Sequence, residues 1–420
     1  MKNLSKTIGV CAGTTIAISM VIGSGLLGLP GVVIDEVGPV TALYGWFGIV
    51  VFMTPMLMIF MRLGLRFPKV GGLSHYAEVA LGPWARVAVV TVLIGTFFLG
   101  IPALALIGAH YASPLLGDAE ASYSGLLAVG FLLLSVGINL AGVRATSWIN
   151  TISLLFVLGV VALLVFGHID YAAKGAAVFA SGELSGQSWT KLWPALSLVF
   201  WAFLGWENLS FGLEEFRSPA RTIPIVYLMS FGIVLALYWA LALTASGASL
   251  SGLTVSGAAG LSVLFPEPLR ALMSGLTAII ILANANSWVF GCSRLVFSGA
   301  RDGILPAVLS ELDSKQVPRN ALVFMGVTFS VIVLSMSLYE IPVGFIVKLV
   351  SQNFIVLFGV AVIAFYRSSE RSLPALIVTS LAACSCLLLM SGFSWLMFYP
   401  AALVCFGYLR HRQMRRVPVL

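Results

Sequence analysis

Twelve long apolar segments, joined by short polar loops, account for most of this chain. Their limits are about 8–34, 39–61, 85–112, 124–142, 147–167, 190–213, 224–246, 270–298, 320–338, 343–366, 373–391 and 393–410. Each is near the ~20 residues that an α-helix needs to cross a hydrocarbon layer. The composition agrees: of 420 residues, 60% are hydrophobic and 9% charged, against about 25% charged in soluble domains. The fold class expected is an all-α integral membrane protein with twelve transmembrane helices in one domain, residues 1–420. Lys2 and Lys6 before an apolar run look like the start of a signal peptide. The run continues to Ile34 with no A-x-A pattern after it, so it reads as the first span. Leu253 to Phe265 is too short and too polar to span, and reads as a loop with an interfacial helix.

Charge fixes the expected orientation. Of the 23 Lys and Arg, 19 fall on the side of the two termini and 4 (Lys174, Lys191, Arg270 and Lys348) on the other. By the positive-inside rule both termini of this multi-pass membrane protein are expected to be cytoplasmic. The net charge of +7 comes from these loops and is no sign of nucleic-acid binding. Cys11, Cys292, Cys384, Cys386 and Cys405 all lie in apolar segments, and the four histidines are scattered. Neither pattern has the spacing of a metal site or a disulfide framework. No metal and no cofactor are expected, and the partners are a small molecule, protons and the bilayer.

Two places break the helical pattern. Ile22-Gly23-Ser24-Gly25-Leu26-Leu27-Gly28-Leu29-Pro30 puts three glycines and a proline inside the first span. Such residues are poor helix formers, and unwound backbone in a membrane survives only where protein or a water-filled cavity satisfies it. The alternative is a glycine-rich packing surface on an unbroken helix. The sixth span holds Trp201-Ala202-Phe203-Leu204-Gly205-Trp206-Glu207-Asn208, with a carboxyl near mid-membrane. A charge there costs roughly 2.5–3.5 kcal/mol or more, and no Lys or Arg lies mid-span to pair with it. Glu207 is thus a candidate proton carrier; the alternative is a neutral carboxyl hydrogen-bonded to a neighbouring helix. Asn208 alone reads as interhelical glue.

The breaks lie five spans apart, so the two segments run in opposite directions. That is the pattern of a five-plus-five inverted repeat with a site at the midplane. Repeat one covers about 8–167, repeat two about 190–366, and about 373–410 forms two extra helices. Half-helix ends before Gly23 and Gly205 offer carbonyls to a cation, and the amides after Gly25 suit a carboxylate. The pair suits an amino acid zwitterion. Met20, Phe97, Phe203 and Trp206 near the breaks are apolar, which favours a neutral, apolar side chain.

These stretches resemble a known family, the amino acid–polyamine–organocation (APC) transporters. Ile22-Gly23-Ser24-Gly25 is similar to their first-helix motif, and Pro68-Lys69-Val70-Gly71-Gly72 through Tyr76 to their P-x-x-G-G-x-x-x-Y/F loop. Phe203 to Asn208, Glu215 to Pro224, and Arg301-Asp302-Gly303 with Val317 to Ala321 match further family stretches in order. The likeness is strongest to the bacterial branch that exports methionine and branched-chain amino acids, through Phe200 to Glu207, Gly71 to Tyr76, and the Ser-Arg-Leu-Val run from Ser293. The resemblance implies the LeuT-type fold. It also implies substrate binding by Ile22, Ser24, Gly25, Phe203 and Gly205, and a proton role for Glu207. Three departures stand out: Leu27 where Phe is frequent, Trp206 in place of a smaller residue, and no lysine in the fifth span. Asn284 and Ser287 in span 8 are possible pocket residues, though not a diagnostic sodium pair.

The expected function is secondary active transport of neutral apolar amino acids, as a proton-driven exporter (an antiporter) of methionine and branched-chain amino acids. An importer or exchanger of the same fold is the nearest alternative. A polytopic membrane enzyme would need a catalytic set, and one buried carboxyl is not one. A channel would need charged rings or carbonyl filters. The sequence does not give oligomeric state.

Overall fold

The computed structural model describes residues 4–23, 25–69, 71–112, 123–182, 186–255, 260–390 and 395–415. The described chain is helical, with one isolated bridge between extended segments at Ile8 and Phe216. The first span is two helices, α1 (Val10–Val21) and α2 (Leu29–Val37), separated by unwound backbone. Then follow α3 (Pro39–Arg66), α4 (Gly72–Leu81), α5 (Pro83–Ala112), α6 (Ser124–Leu140), α7 (Val143–Gly167) and α8 (Ile169–Ser181). The sixth span is α9 (Gly186–Phe200), a 3₁₀ turn Trp201–Phe203, a one-turn α10 (Trp206–Leu209) and a second 3₁₀ stretch Ser210–Glu215. The remainder is α11 (Pro219–Leu250), α12 (Glu267–Arg301), α13 (Arg319–Leu338), α14 (Val343–Ser368), α15 (Leu373–Met390) and α16 (Phe398–Met414).

Nine helical stretches among the described residues are long and apolar enough to cross a membrane. The other three expected spans are the α1–α2 pair, α6 and α16, so each of the twelve apolar segments coincides with helix. Contacts exchange partners between the halves: α1 packs on α11 as α9 does on α3, and α5 packs on α14 as α12 does on α7. This exchange is what an inverted repeat produces. The last two helices lie outside that pattern, α15 against α14 and α3, and α16 against α5.

Three pieces differ from the sequence reading. Of the expected interfacial helix near Leu253 to Phe265, the described residues show one 3₁₀ turn, Gly260–Leu264. It docks on the first break, where the Leu261 amide donates to the Leu27 carbonyl at 3.1 Å. The loop after span 2 contains a helix, α4, started by Gly71 in the left-handed region (φ +101°). On it, burial and then the Arg86 charge lower the pKa of His75 below its ordinary value despite Glu78 nearby, so the ring is neutral at pH 7. The third piece is α8, in a connection read as a plain loop. It crosses α11 at two glycines: a Cβ on Gly175 would lie 2.2 Å from the Leu243 carbonyl oxygen. Small residues allow this backbone-to-backbone approach. Lys174 then caps α11, its Nζ donating to the Leu250 carbonyl at 2.8 Å.

The face that carries the N-terminus is latched. The Ile8 amide donates to the Glu215 carbonyl and the Arg217 amide to the Ile8 carbonyl, both at 2.8 Å. Behind this bridge, Arg294 Nε donates to Glu215 Oε1 at 2.7 Å, with both side chains buried. Its guanidinium also stacks 4.0 Å from the Phe290 ring centre. Arg294 lies within α12, inside the expected eighth span, with its charge paired to Glu215. A buried ion pair is costly to break from one side, about 3–5 kcal/mol, because the partner is left charged and unpaired. Arg294→Met alone is therefore expected to lower the thermal unfolding temperature in detergent sharply. Adding Glu215→Leu should recover most of the loss, and equal unfolding temperatures for single and double variants would show the pair to be idle.

Candidate functional site

The two breaks meet. The half-helix α1 ends at Val21, and its last carbonyls point at α12. Asn284 Nδ2 donates to the Ser19 carbonyl at 2.7 Å and to the Met20 carbonyl at 2.9 Å. Trp288, one turn further on, donates its indole N–H to the same Met20 carbonyl at 2.7 Å. Gly205, at φ +131°, comes in from the other break, and a Cβ there would lie 2.4 Å from the Met20 oxygen. A Cβ on Gly23 would lie 2.5 Å from Asn284. Spans 1, 6 and 8 therefore touch through backbone and short side chains, and the glycines are what let them.

Between them is a cavity of about 10 Å³, lined by Met20, Val21, Leu104, Trp201, Leu204 and Trp288 among others. That is room for one water at most, so this conformation is closed around the junction. Its walls are apolar apart from Asn284 and backbone. The amide of Leu26 is taken by the Gly23 carbonyl at 3.1 Å.

Glu207 is fully buried one turn from this cavity. Its Oε2 accepts from the Gly205 amide at 3.2 Å, and its Oε1 has no partner. No described Lys or Arg pairs with it. Its own carbonyl accepts from Ser210 Oγ at 2.5 Å, which holds the short α10. Burying a polar oxygen without a hydrogen bond costs on the order of 1–3 kcal/mol on protein scales. Asn208 and Ser287 are also buried with side chains that make no hydrogen bond, so Asn208 meets α12 by packing against Gly291 rather than by an interhelical hydrogen bond.

The structure sorts the other sequence candidates. Met20, Gly23, Gly25 and Asn284 line the junction, and Ile22 is buried in the unwound segment. Ser24 lies outside the described residues. Phe97 is one shell back, edge-on to Trp288 at 5.7 Å. Phe203 turns away, towards Tyr238 at 5.5 Å. Trp206 turns away too, packing on Phe231 at 5.6 Å while its carbonyl accepts from Tyr227. The tryptophans that do line the junction are Trp201 and Trp288. Trp288 was legible as the i+4 neighbour of Asn284 on one helix face; Trp201 carried no such signal.

Trp201 also borders a cavity of about 570 Å³ opening on the face opposite the N-terminus, with Leu29, Phe345, Lys348 and Trp395 in its walls. Trp201 is thus the partition between that vestibule and the junction.

Known proteins bear on this site. The profile described as amino acid permease matches residues 8–415. The chain is 26% identical to an uncharacterized amino acid permease, YecA, of Bacillus subtilis, over 97% of this chain and 96% of that one. It is 25% identical to the L-methionine/branched-chain amino acid exporter YjeH of Escherichia coli, over 77% of this chain and 76% of that one. The crystal structure of MhsT in complex with L-phenylalanine superposes with a TM-score of 0.68 at 15% identity, over 98% of this chain and 100% of the other. That likeness establishes the LeuT-type fold. The chain belongs to the amino acid permease family of the APC superfamily, and is a multi-pass membrane transporter of amino acids rather than an enzyme.

Proposed function

We propose that this transporter is a proton-driven exporter of neutral, apolar amino acids such as methionine and the branched-chain amino acids. Its place is the bacterial inner membrane with both termini cytoplasmic. The observation that carries the reading is a fully buried carboxyl, Glu207, with one unpartnered oxygen beside an otherwise apolar junction. Apolar walls suit an aliphatic or thioether side chain and disfavour a charged one. The similarity to an exporter of methionine and branched-chain amino acids supports the same substrate class. The skew of 19 against 4 cations supports the orientation.

In this reading the substrate enters where Asn284 and Trp288 now hold the α1 carbonyls, and its ammonium group takes over those acceptors. Its carboxylate faces the backbone amides after Gly25, at the start of the second half of the span. Loading and unloading a proton at Glu207 biases one membrane-facing state against the other. A ligand shifts such an equilibrium only through its differential affinity for the two states.

Glu207→Gln, which fixes the neutral form, is expected to keep substrate binding and lose the response of transport to a pH gradient. Glu207→Asp should keep partial coupling. The measurement is flux of labelled methionine or leucine in proteoliposomes over a series of pH gradients, and a Gln variant that follows the gradient as the parent does would remove Glu207 from the coupling. The twenty amino acids screened in the same vesicles test the substrate class, where preferred uptake of lysine or glutamate would overturn it.

The glycines make a second test. A Cβ on Gly25 meets Ala202 at 3.4 Å, an ordinary contact, whereas one on Gly205 meets the Met20 oxygen at 2.4 Å. Gly25→Ala should insert and unfold like the parent. Gly25→Val should insert but lose substrate binding in detergent, and Gly205→Ala should lower thermal stability as well, since its backbone conformation is strained for any side chain. Unaltered substrate affinity in Gly25→Val would show the first break to be packing rather than a site.

A further inference from the structure

A further cavity lies away from the junction. It has a volume of about 690 Å³ and opens on the N-terminal face, between residues 5–12, the start of α7 and the 215–217 and 315–316 segments. Arg144, Arg217 and Lys315 stand in its wall, all three exposed. None of them makes an ion pair among the described residues. The acid in the wall, Glu215, is already engaged by Arg294. The groove therefore carries three uncompensated positive charges.

One side of it is apolar. Trp148 follows Arg144 by one helical turn on α7, so the indole and the guanidinium share a face. The indole is 65% exposed, and with Ala12 of α1 it lines the same cavity. Tryptophan with arginine at a helix end is the pairing that sits at headgroup level in a bilayer. Basic pockets between helices on the cytoplasmic side suit anionic headgroups.

We infer that this groove binds an anionic phospholipid of the cytoplasmic leaflet, its phosphate among Arg144, Arg217 and Lys315 and its upper acyl chain against Trp148 and Ala12. The inference rests on the cytoplasmic orientation given above, and is independent of substrate and of Glu207. A free phosphate compound has the charge but no use for the exposed indole. The occupied site has a mechanical consequence. Arg217 belongs to the segment that bridges to Ile8, and Arg144 belongs to α7. A headgroup held by both ties the N-terminal latch to α7.

The test uses the full-length protein in detergent and counts lipid retained by native mass spectrometry, with phosphatidylglycerol against phosphatidylcholine as probes. The parent should retain phosphatidylglycerol preferentially, and the same lipid should raise its unfolding temperature. The triple variant Arg144→Gln, Arg217→Gln, Lys315→Gln should bind it about 100-fold more weakly, at roughly fivefold per cation removed. A control that removes three exposed cations of the last helix, Arg410→Gln, Arg412→Gln, Arg415→Gln, should retain lipid like the parent, and millimolar inorganic phosphate should not displace it. Should the triple variant fail to fold, Arg144→Gln and Trp148→Ala taken singly must each weaken retention severalfold. Parent-like retention in the groove variants, equal loss in the control, or complete displacement by inorganic phosphate would each overturn the proposal. Labelling of single cysteines from either side of the membrane reports the orientation separately.

Discussion

A helix can break inside a membrane only where something replaces the hydrogen bonds it gives up. At the first break that role falls to Asn284 and Trp288, which reach the Ser19 and Met20 carbonyls from α12. The Leu27 carbonyl on the far side of the break is met by the Leu261 amide from the loop after span 7. Gly205 then packs its bare backbone against the same Met20 oxygen. One carbonyl is thereby the meeting point of spans 1, 6 and 8. The glycines at 23 and 205, the amide at 284 and the indole at 288 all exist at those positions because the break needs them.

The same arrangement makes the junction responsive. A substrate ammonium and the Asn284 and Trp288 donors seek the same acceptors, so binding and rearrangement of α12 against α1 are one event on the transport reading. The cavity of about 10 Å³ cannot hold an amino acid as it stands, so passage between the junction and the vestibule requires Trp201 to move. Glu207 sits behind this contact with its oxygen partnered only by the Gly205 amide. Any change in the Gly205 backbone is therefore felt at the carboxyl directly, without a chain of intermediates.

The spans were legible because twenty consecutive apolar residues have few other uses, and the breaks because glycine, proline and a carboxyl are out of place in such runs. The direction of side chains next to a break was not legible. Helical periodicity restarts after Gly205, whose φ of +131° lies outside the helical region. Nearness to the break assigns Trp206 to the pocket, when it faces Phe231, and overlooks Trp201, which lines the junction. Phe203 precedes Gly205, at the end of the 3₁₀ turn Trp201–Phe203, and that tighter winding carries its ring towards Tyr238. In the unbroken α12 the period holds, and Asn284 leads to Trp288 by simple spacing. Arg294 was counted only among the cations of the N-terminal side, because its partner Glu215 lies 79 residues away, a separation over which sequence shows sign but not contact. The helix α8 was missed because its lightly apolar, alanine- and glycine-rich face packs on α11 rather than in lipid.

The two faces of the molecule are closed by different physics, and this sets the energetics of the transport cycle. On the N-terminal face the closure is polar: two backbone hydrogen bonds at Ile8, the buried Arg294–Glu215 pair and a looser Arg301–Glu214 contact at 3.7 Å. Separating one buried charge pair alone costs several kcal/mol. On the opposite face the closure is apolar, with Trp201 and Leu29 beneath an open vestibule. Aromatic and aliphatic contacts can shift by rotamer changes, without leaving a charge unpaired. The closed N-terminal latch is therefore the stable resting arrangement. Moving a two-state equilibrium from 1:99 to 99:1 takes about 5.5 kcal/mol of differential binding, the same order as the latch. On the export reading, a proton loaded at Glu207 from the opposite face must supply that difference for the N-terminal face to open and take up substrate. An anionic headgroup between Arg217 and Arg144 would add to the latch and raise the requirement, so the composition of the leaflet enters the transport equilibrium on the same scale as the substrate.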